Sequence, residues 1–463
     1  MTGNFTEVDI QTQQSLEEVD FTAPGKLVLA EIERSLAARD TAEISHWKRA
    51  HRRAIKNWLT KYKPKPDAPN LEKVRGYLEA FHHLCELEAW QEASEILSTE
   101  INNSTKKDLQ HYLRTWSYYR EQADLYGKLL DKLEPELNAF ILHGLSNSYI
   151  VFGDYDKAVE CQQQYLEFTK AVVNHQEEGT ALGSLGIAYY GLSKYIEAID
   201  CFQKHLEISR ETIDSQGEGT ALGNLGLAYL NLGDYAKAIE CQQQHLAIAR
   251  KIQDRDGEGA ALRNLGVAYM ALADYGQAIE LSKESLVITQ ETQDRLAEAH
   301  ALATLGNAYL YLEEYAKAIK HQQKALAIAR EIRDRLGEAR ALEGLGVAHV
   351  AVRAYQEAID FYHQCLIIRQ ELRNRHAEGT VLGNLGRAYF FLMDYIKAIE
   401  YHQQRLTLVR AIKDCQGEER TIISLGKAYC ALGDYEKAIA HNQQHLALVQ
   451  ATLQQMRRSH SSS

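Results

Sequence analysis

Apolar residues in the stretch 222–232 fall at Leu222, Leu225, Ala228, Tyr229 and Leu232. Spacings of three and four put them on one face of an α-helix. Leu-Gly-Asp at 232–234 ends that face, since glycine suits a helix stop and aspartate the N-cap of the following helix. The pattern then predicts a second helix from about Tyr235 to Ile252, with Ala238, Ile239, Leu246, Ala249 and Ile252 facing inward. DRDGE at 254–258 turns the chain once more. Gly226 and Ala238 are small enough to let the two backbones approach, while Tyr229 and Tyr235 fill the space around them.

The hairpin recurs every 40 residues. Leu145, Leu185, Leu225, Leu265, Leu305, Leu345, Leu385 and Leu425 share one slot. The tyrosines from Tyr155 to Tyr435 and the alanines from Ala158 to Ala438 repeat in the same way. The period does not slip by one residue, so no insertion separates the eight units. A fixed period of this size marks a solenoid, because one hairpin cannot bury its apolar faces without neighbours. The chain is expected to be all-α, with eight helix-turn-helix repeats over 136–455.

L-x-x-L-G-x-x-Y followed by G-D-Y-x-x-A-I, carried by LGNLGLAYLNLGDYAKAI at 222–239, resembles the tetratricopeptide repeat (TPR) signature. The 40-residue period, the recurring Asn of LGNLG and segments such as CQQQHLAIARKIQDRDGEGAAL look most like the TPR domain of the LGN/Pins adaptors, with kinesin light chain a more distant relative. The resemblance covers about 139–455. It implies a right-handed TPR superhelix (α-solenoid), with one stripe of each first helix lining an inner groove. It also implies an adaptor or scaffold that captures partners without making bonds. LGN/Pins adaptors continue into GoLoco motifs that bind G-protein α subunits. No such segment follows the array before Ser463, so G-protein signalling is not expected.

Outside the array, residues 1–24 read as a flexible acidic tail and 25–135 as a helical N-terminal cap. Within that cap, KPKPDAP at 63–69 reads as a linker, and 71–135 hold degenerate hairpin signals, with Leu84, Trp90 and Ala93 near the repeat's Leu, Tyr and Ala slots. Residues 456–463 read as a flexible tail. No capping helix is visible there, which leaves that end for a partner or a second copy of the chain. The net charge of −11 argues against wholesale nucleic-acid or membrane binding. No apolar run is long enough to span a bilayer, and the polar N-terminus lacks the features of a signal peptide, so a cytoplasmic address is expected. Seven cysteines without a CxxC pair give no support to metal or redox chemistry.

No phosphate loop, dinucleotide-binding glycine cluster, HExxH or GxSxG is present, and neither enzyme activity nor a cofactor is expected. Glu178, Glu218, Glu258, Glu298, Glu338, Glu378 and Glu418 form a periodic series. Each lies near the start of a first helix, where the helix dipole favours a carboxylate. Copies in successive units should be roughly 10 Å or more apart, too far to share a metal or a proton. His205, His245 and His445 share another slot and read as scaffold, and QQQ at 162–164 and 242–244 read as solvated helix faces.

What recurs builds the scaffold, so what breaks the period on the inner face is where a ligand is read. The stripe equivalent to 220, 223, 224, 227, 230 and 231 holds Asn224, Arg263, Asn264, His300, Asn307, Arg340, Asn384, Arg387, Arg420 and Lys427, with Glu343 the one acid from repeat two onward. Leu227, Leu230, Met270, Tyr311, Phe390 and Phe391 are its apolar members. Asn can hydrogen-bond an extended backbone, and Arg can grip carboxylates with two prongs. The expected partner is an acidic or extended segment of another protein, read mainly by repeats four to eight. A second candidate is the basic helix at 46–65, with Lys48, Arg49, Arg52, Arg53 and Lys56 interleaved with Trp47 and Trp58. It could meet nucleic acid or an anionic membrane, or be docked by its Trp face with the charges solvated.

Overall fold

The computed structural model describes residues 22–39, 44–65, 67–102 and 107–461. The acidic tail expected at 1–24 lies outside these residues as far as residue 21. The chain divides into two compact units, Met1–Ile248 and Ala249–Ser463.

The first unit opens with α1 (Thr22–Ala38), α2 (His46–Lys61), α3 (Asn70–Lys73), α4 (Arg75–Glu86) and α5 (Trp90–Leu97). β1 (Glu100–Asn102) and β2 (Lys107–Asp108) then pair antiparallel, and α6 (Leu109–Thr115) and α7 (Tyr119–Leu129) follow. Strands this short carry no period-two signal, which is why sequence reading missed them. Leu84 and Ala93 are fully buried between α4 and α5, as in a repeat hairpin.

Eight helix pairs follow. They are α8 (Pro135–Phe152) with α9 (Tyr155–Ala171), α10 (His175–Gly191) with α11 (Tyr195–Glu211), and α12 (Ser215–Leu232) with α13 (Tyr235–Ile252). Next come α14 (Arg255–Ala271) with α15 (Tyr275–Glu291), α16 (Arg295–Tyr311) with α17 (Tyr315–Glu331), and α18 (Arg335–Ala351) with α19 (Tyr355–Glu371). The array ends with α20 (Arg375–Phe391) and α21 (Tyr395–Ala411), then α22 (Cys415–Leu432) and α23 (Tyr435–Ser461). The chain is thus an all-α solenoid of consecutively packed helix pairs. The last helix takes in 456–461, which sequence reading placed in a flexible tail. No Gly or Pro follows Tyr435 before Ser461 to stop it.

The sequence repeats every 40 residues, but the backbone repeats every 20. From Gly153 to Gly433, every twentieth residue has a positive φ, between +52° and +88°. Each turn within a repeat and each turn between repeats reverses in the same way. At the Gly233 turn, the Asp234 amide donates to Tyr229 O at 3.0 Å and the Gly233 amide to Leu230 O at 3.2 Å, a Schellman closure. At the Arg353 turn, the matching distances are 2.9 and 3.1 Å. Only Gly153, Gly233 and Gly433 supply glycine, so the stop signal read at 233 is absent from most turns that need it. At most of these turns aspartate or asparagine follows and caps the next helix, whereas Lys194, Glu314 and Ala354 stand there without a side-chain cap. Asp254, for example, accepts from the Gly257 amide at 2.9 Å.

Packing within each hairpin from the second repeat onward turns on one glycine of the first helix, where the first repeat has Ser146. The glycine faces a side chain of its own second helix, and that side chain changes from repeat to repeat. Gly186 meets Phe202, Gly226 meets Gln242, Gly266 meets Ser282, Gly346 meets Tyr362 and Gly386 meets His402. Gly226 thus makes room for a side chain, whereas sequence reading assigned it to close backbone approach. Gln162 and Gln242 are buried, correcting their reading as solvated. Their Nε2 atoms donate to Ala181 O at 3.2 Å and Gly223 O at 2.8 Å. His205 and His245 are buried beside Gly183 and Gly223, and His445 is half-buried against Glu419 at 3.1 Å.

The periodic glutamates do more than sit in a helix dipole. Glu258 accepts from Arg250 Nε at 2.7 Å and Arg255 Nη1 at 2.6 Å, and Glu338 from Arg330 at 2.8 Å and Arg335 at 2.6 Å. Arg295 joins Glu298 on its own helix to Glu331 at the end of α17, the latter at 2.5 Å. Arginines therefore clasp successive helices together along one edge.

Candidate partner-binding groove

In the second unit, the first helices of consecutive repeats approach one another directly: α14 with α16, α16 with α18, α18 with α20, and α20 with α22. The second helices of consecutive repeats make no approach of that order. Closer spacing on one side makes the first-helix side the inner one within this unit. The ten residues expected on the inner stripe divide by slot. His300, Arg340 and Arg420 occupy one slot and Asn307, Arg387 and Lys427 another. His300 is half-buried and the other five are exposed. Arg263, Asn264 and Asn384, and Asn224 in the first unit, are half-buried. Those slots lean sideways toward second helices, as Gly223 against His245 and Glu343 against Arg369 show.

The charges are weakly neutralised. Arg263, Arg340, Arg387 and Arg420 make no ion pair among the described residues. Burial lowers the Arg263 and Arg340 guanidinium pKa values, and Arg369 beside Arg340 lowers the latter further. Arg340 is nonetheless solvent-exposed. A side chain can be open to water and still lose much of its hydration when groove walls surround it, so the two facts agree. Burial, with Arg263 and Arg340 nearby, pushes the His300 imidazole down to about 4, so it stands neutral at pH 7. Arg387 is steered by Asn384, whose Oδ1 accepts from its Nη2 at 3.2 Å. Asn307 is engaged as well, accepting from Gln322 Nε2 at 2.8 Å.

Two arginines that shape this face were missed. Arg369 and Arg405 lie on the second helices α19 and α21, where only recurrent scaffold was expected. Arg369 is buried and holds Glu343 at 3.3 Å, so the single acid of the stripe is already paired. Arg405 is half-buried and passes beside Gly383. The signal lay in the slots. Arg369 stands where other repeats have Thr169, Ser209, Ala249, Thr289, Ala329 or Val409. The period-breaking rule identifies both when it is applied to second helices too.

The basic helix α2 is more fully tied down. Ile55 and Leu59 form its buried face, while Trp47 is about half exposed, with its ring tilted against His51. Arg52 donates to Leu36 O at 3.0 Å and Lys56 to Glu33 at 3.3 Å. Lys48, Arg49 and Arg53 are exposed. No helix among the described residues is long and apolar enough to cross a membrane, and no described group of three or more His, Cys, Asp or Glu could hold a metal.

Stacked antiparallel helix pairs of fixed length, a small-residue slot in each first helix and a variable inner stripe define a repeat solenoid of the tetratricopeptide class. The chain belongs to the tetratricopeptide repeat family: that family's model matches residues 137–211, 217–291, 257–331, 297–371, 337–411 and 377–451. A search of curated proteins gives no match. Among solved structures, the chain is similar to a signal transduction ATPase with numerous domains from Pyrococcus horikoshii that carries a tetratricopeptide repeat sensor. The TM-score is 0.57 at 14% identity, over 96% of this chain and 75% of that one. It is also similar to a Rap protein complexed with competence and sporulation factor, with a TM-score of 0.52 at 15% identity, over 75% and 99% of the two chains. The apo quorum sensor NprR from B. thuringiensis gives 0.50 at 15% identity, over 82% and 100%. At these identities the likeness is one of fold.

Proposed function

We propose that the chain is an interaction adaptor whose second unit captures an acidic, extended segment of another protein along the first-helix face of repeats four to eight. The observation that carries this reading is charge without counter-charge. In a chain of net charge −11, Arg263, Arg340, Arg387 and Arg420 share one face without an ion pair among the described residues, and Glu343 is held by Arg369. Of the four, half-buried Arg263 gains most from an incoming carboxylate, because water competes less there than at exposed Arg340, Arg387 and Arg420. Tyr311 and Phe391, both exposed, supply apolar anchors beside the charges. The Rap protein, similar in fold, was solved in complex with competence and sporulation factor.

The test is affinity purification from the native lysate with mass spectrometry, comparing wild type with an Arg340→Glu/Arg387→Glu variant. A protein lost only from the variant is the groove ligand, and its acidic segment can be mapped. Identical partner lists at unchanged helicity would overturn the assignment. The second reading keeps α2 as a nucleic-acid or anionic-membrane contact, on the strength of exposed Lys48, Arg49 and Arg53 beside exposed Trp47. A gel shift and a liposome flotation at moderate salt decide it, and the absence of binding in both retires it.

A further inference from the structure

Arg405 is the least expected cation in the array. In the other seven repeats its slot holds Tyr165, His205, His245, Ser285, Ala325, Cys365 and His445, so the scaffold does not call for a positive charge there. Its Nε is buried without a hydrogen-bond partner, and its guanidinium makes no ion pair among the described residues. Arg387 and Arg420, from α20 and α22, stand close enough to oppose its charge. The carboxylate that acts on it is Asp414, which caps α22 through the Gly417 amide at 2.8 Å. Behind the cluster lies His402, 3% exposed, with its Nδ1 buried and unpaired and with Arg387 and Arg405 as charged neighbours. The hydroxyl of fully buried Tyr362 faces Arg387.

Arg405 lies beside Gly383, one helical turn before Arg387 on α20, and α21 packs against α22, which carries Arg420, so three guanidiniums fall at the junction of repeats seven and eight. Holding a half-buried cation without an anion is unfavourable. One carboxylate can satisfy one arginine in two-pronged fashion and leaves the other two repelling. A phosphate brings about two negative charges and three acceptor oxygens, which suits three arginines. Resting on the groove reading above, we infer that Arg387, Arg405 and Arg420 form a phosphate subsite within the groove, which takes a phosphorylated side chain of the captured segment. Free phosphate offers the same chemistry and is separated from that source by the test.

The experiment is calorimetry on the full chain with three probes: inorganic phosphate, an Asp-Asp-phosphoSer-Asp-Asp peptide, and the same peptide with Glu in place of the phosphoserine. The phosphopeptide is expected to bind about tenfold or more tighter than the Glu peptide, with inorganic phosphate competing. Arg405→Gln and Arg420→Gln should each weaken phosphate binding by about tenfold while the far-ultraviolet spectrum is unchanged. Should Arg405→Gln unfold, the exposed Arg420 variant decides alone. Phosphate bound by wild type and lost by the variants, with neither peptide bound, sustains the subsite with free phosphate as its source and removes the groove-capture reading. Equal affinity for the two peptides overturns the subsite and leaves acidic capture standing. Phosphate binding unaffected by either variant, or no binding of any probe, overturns the subsite outright.

Discussion

A single slot of the second helix shows how individual residues tune the array. Phe202, Gln242, Ser282, Gln322, Tyr362 and His402 occupy it in successive repeats, each set against a glycine. A Cβ at Gly346 would overlap the Tyr362 ring, whereas one at Gly266 would lie 2.8 Å from Ser282 Oγ. Gly346→Ala is therefore expected to cost about 1–3 kcal/mol and Gly266→Ala less, read as denaturant midpoints. His402 adds a pH dependence. Burial first, then Arg405 and Arg387, push its imidazole down to about 4. The unfolded chain regains a value near 6.5, so the unfolded state binds the proton more readily. Stability is complete above about pH 6.5 and falls as pH drops toward 4, by roughly 3 kcal/mol at most. His402→Gln, the residue that repeats three and five carry in that slot, should remove this share of the acid sensitivity. Melting temperatures between pH 7 and 5 that decline equally in both proteins would refute it. The leucine, tyrosine and alanine slots were legible from spacing alone. Arg369, Arg405 and the buried Gln162 and Gln242 were not, because residue polarity says nothing of a partner that appears only when two helices pack.

At the scale of the element, the helices were legible and their ends only partly so. Periodicity placed both helices of each repeat, since a three-and-four spacing survives any choice of side chain. The turn is set by a backbone state that many residues can be forced to adopt by packing on either side. Ile213, 86% exposed at φ +58°, is one of them. Its side chain contributes almost no burial, and a left-handed conformation costs a β-branched residue about 1–2 kcal/mol. Ile213→Gly is expected to raise the thermal midpoint and Gly233→Ala to lower it. The arginine clasps should matter less. Arg295 spans Glu298 and Glu331 while about a third exposed. Arg295→Ala is expected to cost no more than about 1 kcal/mol at low salt and to approach zero in high salt.

On the scale of the whole molecule, a net charge of −11 coexists with a face on which arginines outnumber free acids. Net charge is a sum over the whole chain and carries no information about the charge of one face. The inner stripe was reached through the resemblance to a known family, while the density of charge at repeats seven and eight came from second helices that composition cannot assign to a face. Capture of an acidic partner should accordingly weaken with added salt, each phosphate or carboxylate contact contributing to the slope. A surface plasmon resonance titration against the purified partner reads that slope directly. An affinity independent of salt would point to the apolar members of the stripe instead.

The 20-residue backbone period has a consequence for the gene. Every turn closes alike, and three consecutive repeats hand their neighbours the same junction, Asp254 before Arg255, Asp294 before Arg295 and Asp334 before Arg335. Excising the codons for residues 255–294 rejoins Asp254 to Arg295 and recreates a junction the protein already uses. The shortened product is expected to fold cooperatively, with its circular dichroism reduced only in proportion to its length. Tandem copies of equal length can be gained or lost by unequal recombination, and here such an event falls on interchangeable joints. The number of repeats can thus be inherited as a length, lengthened or shortened by whole units without any loop having to be reinvented.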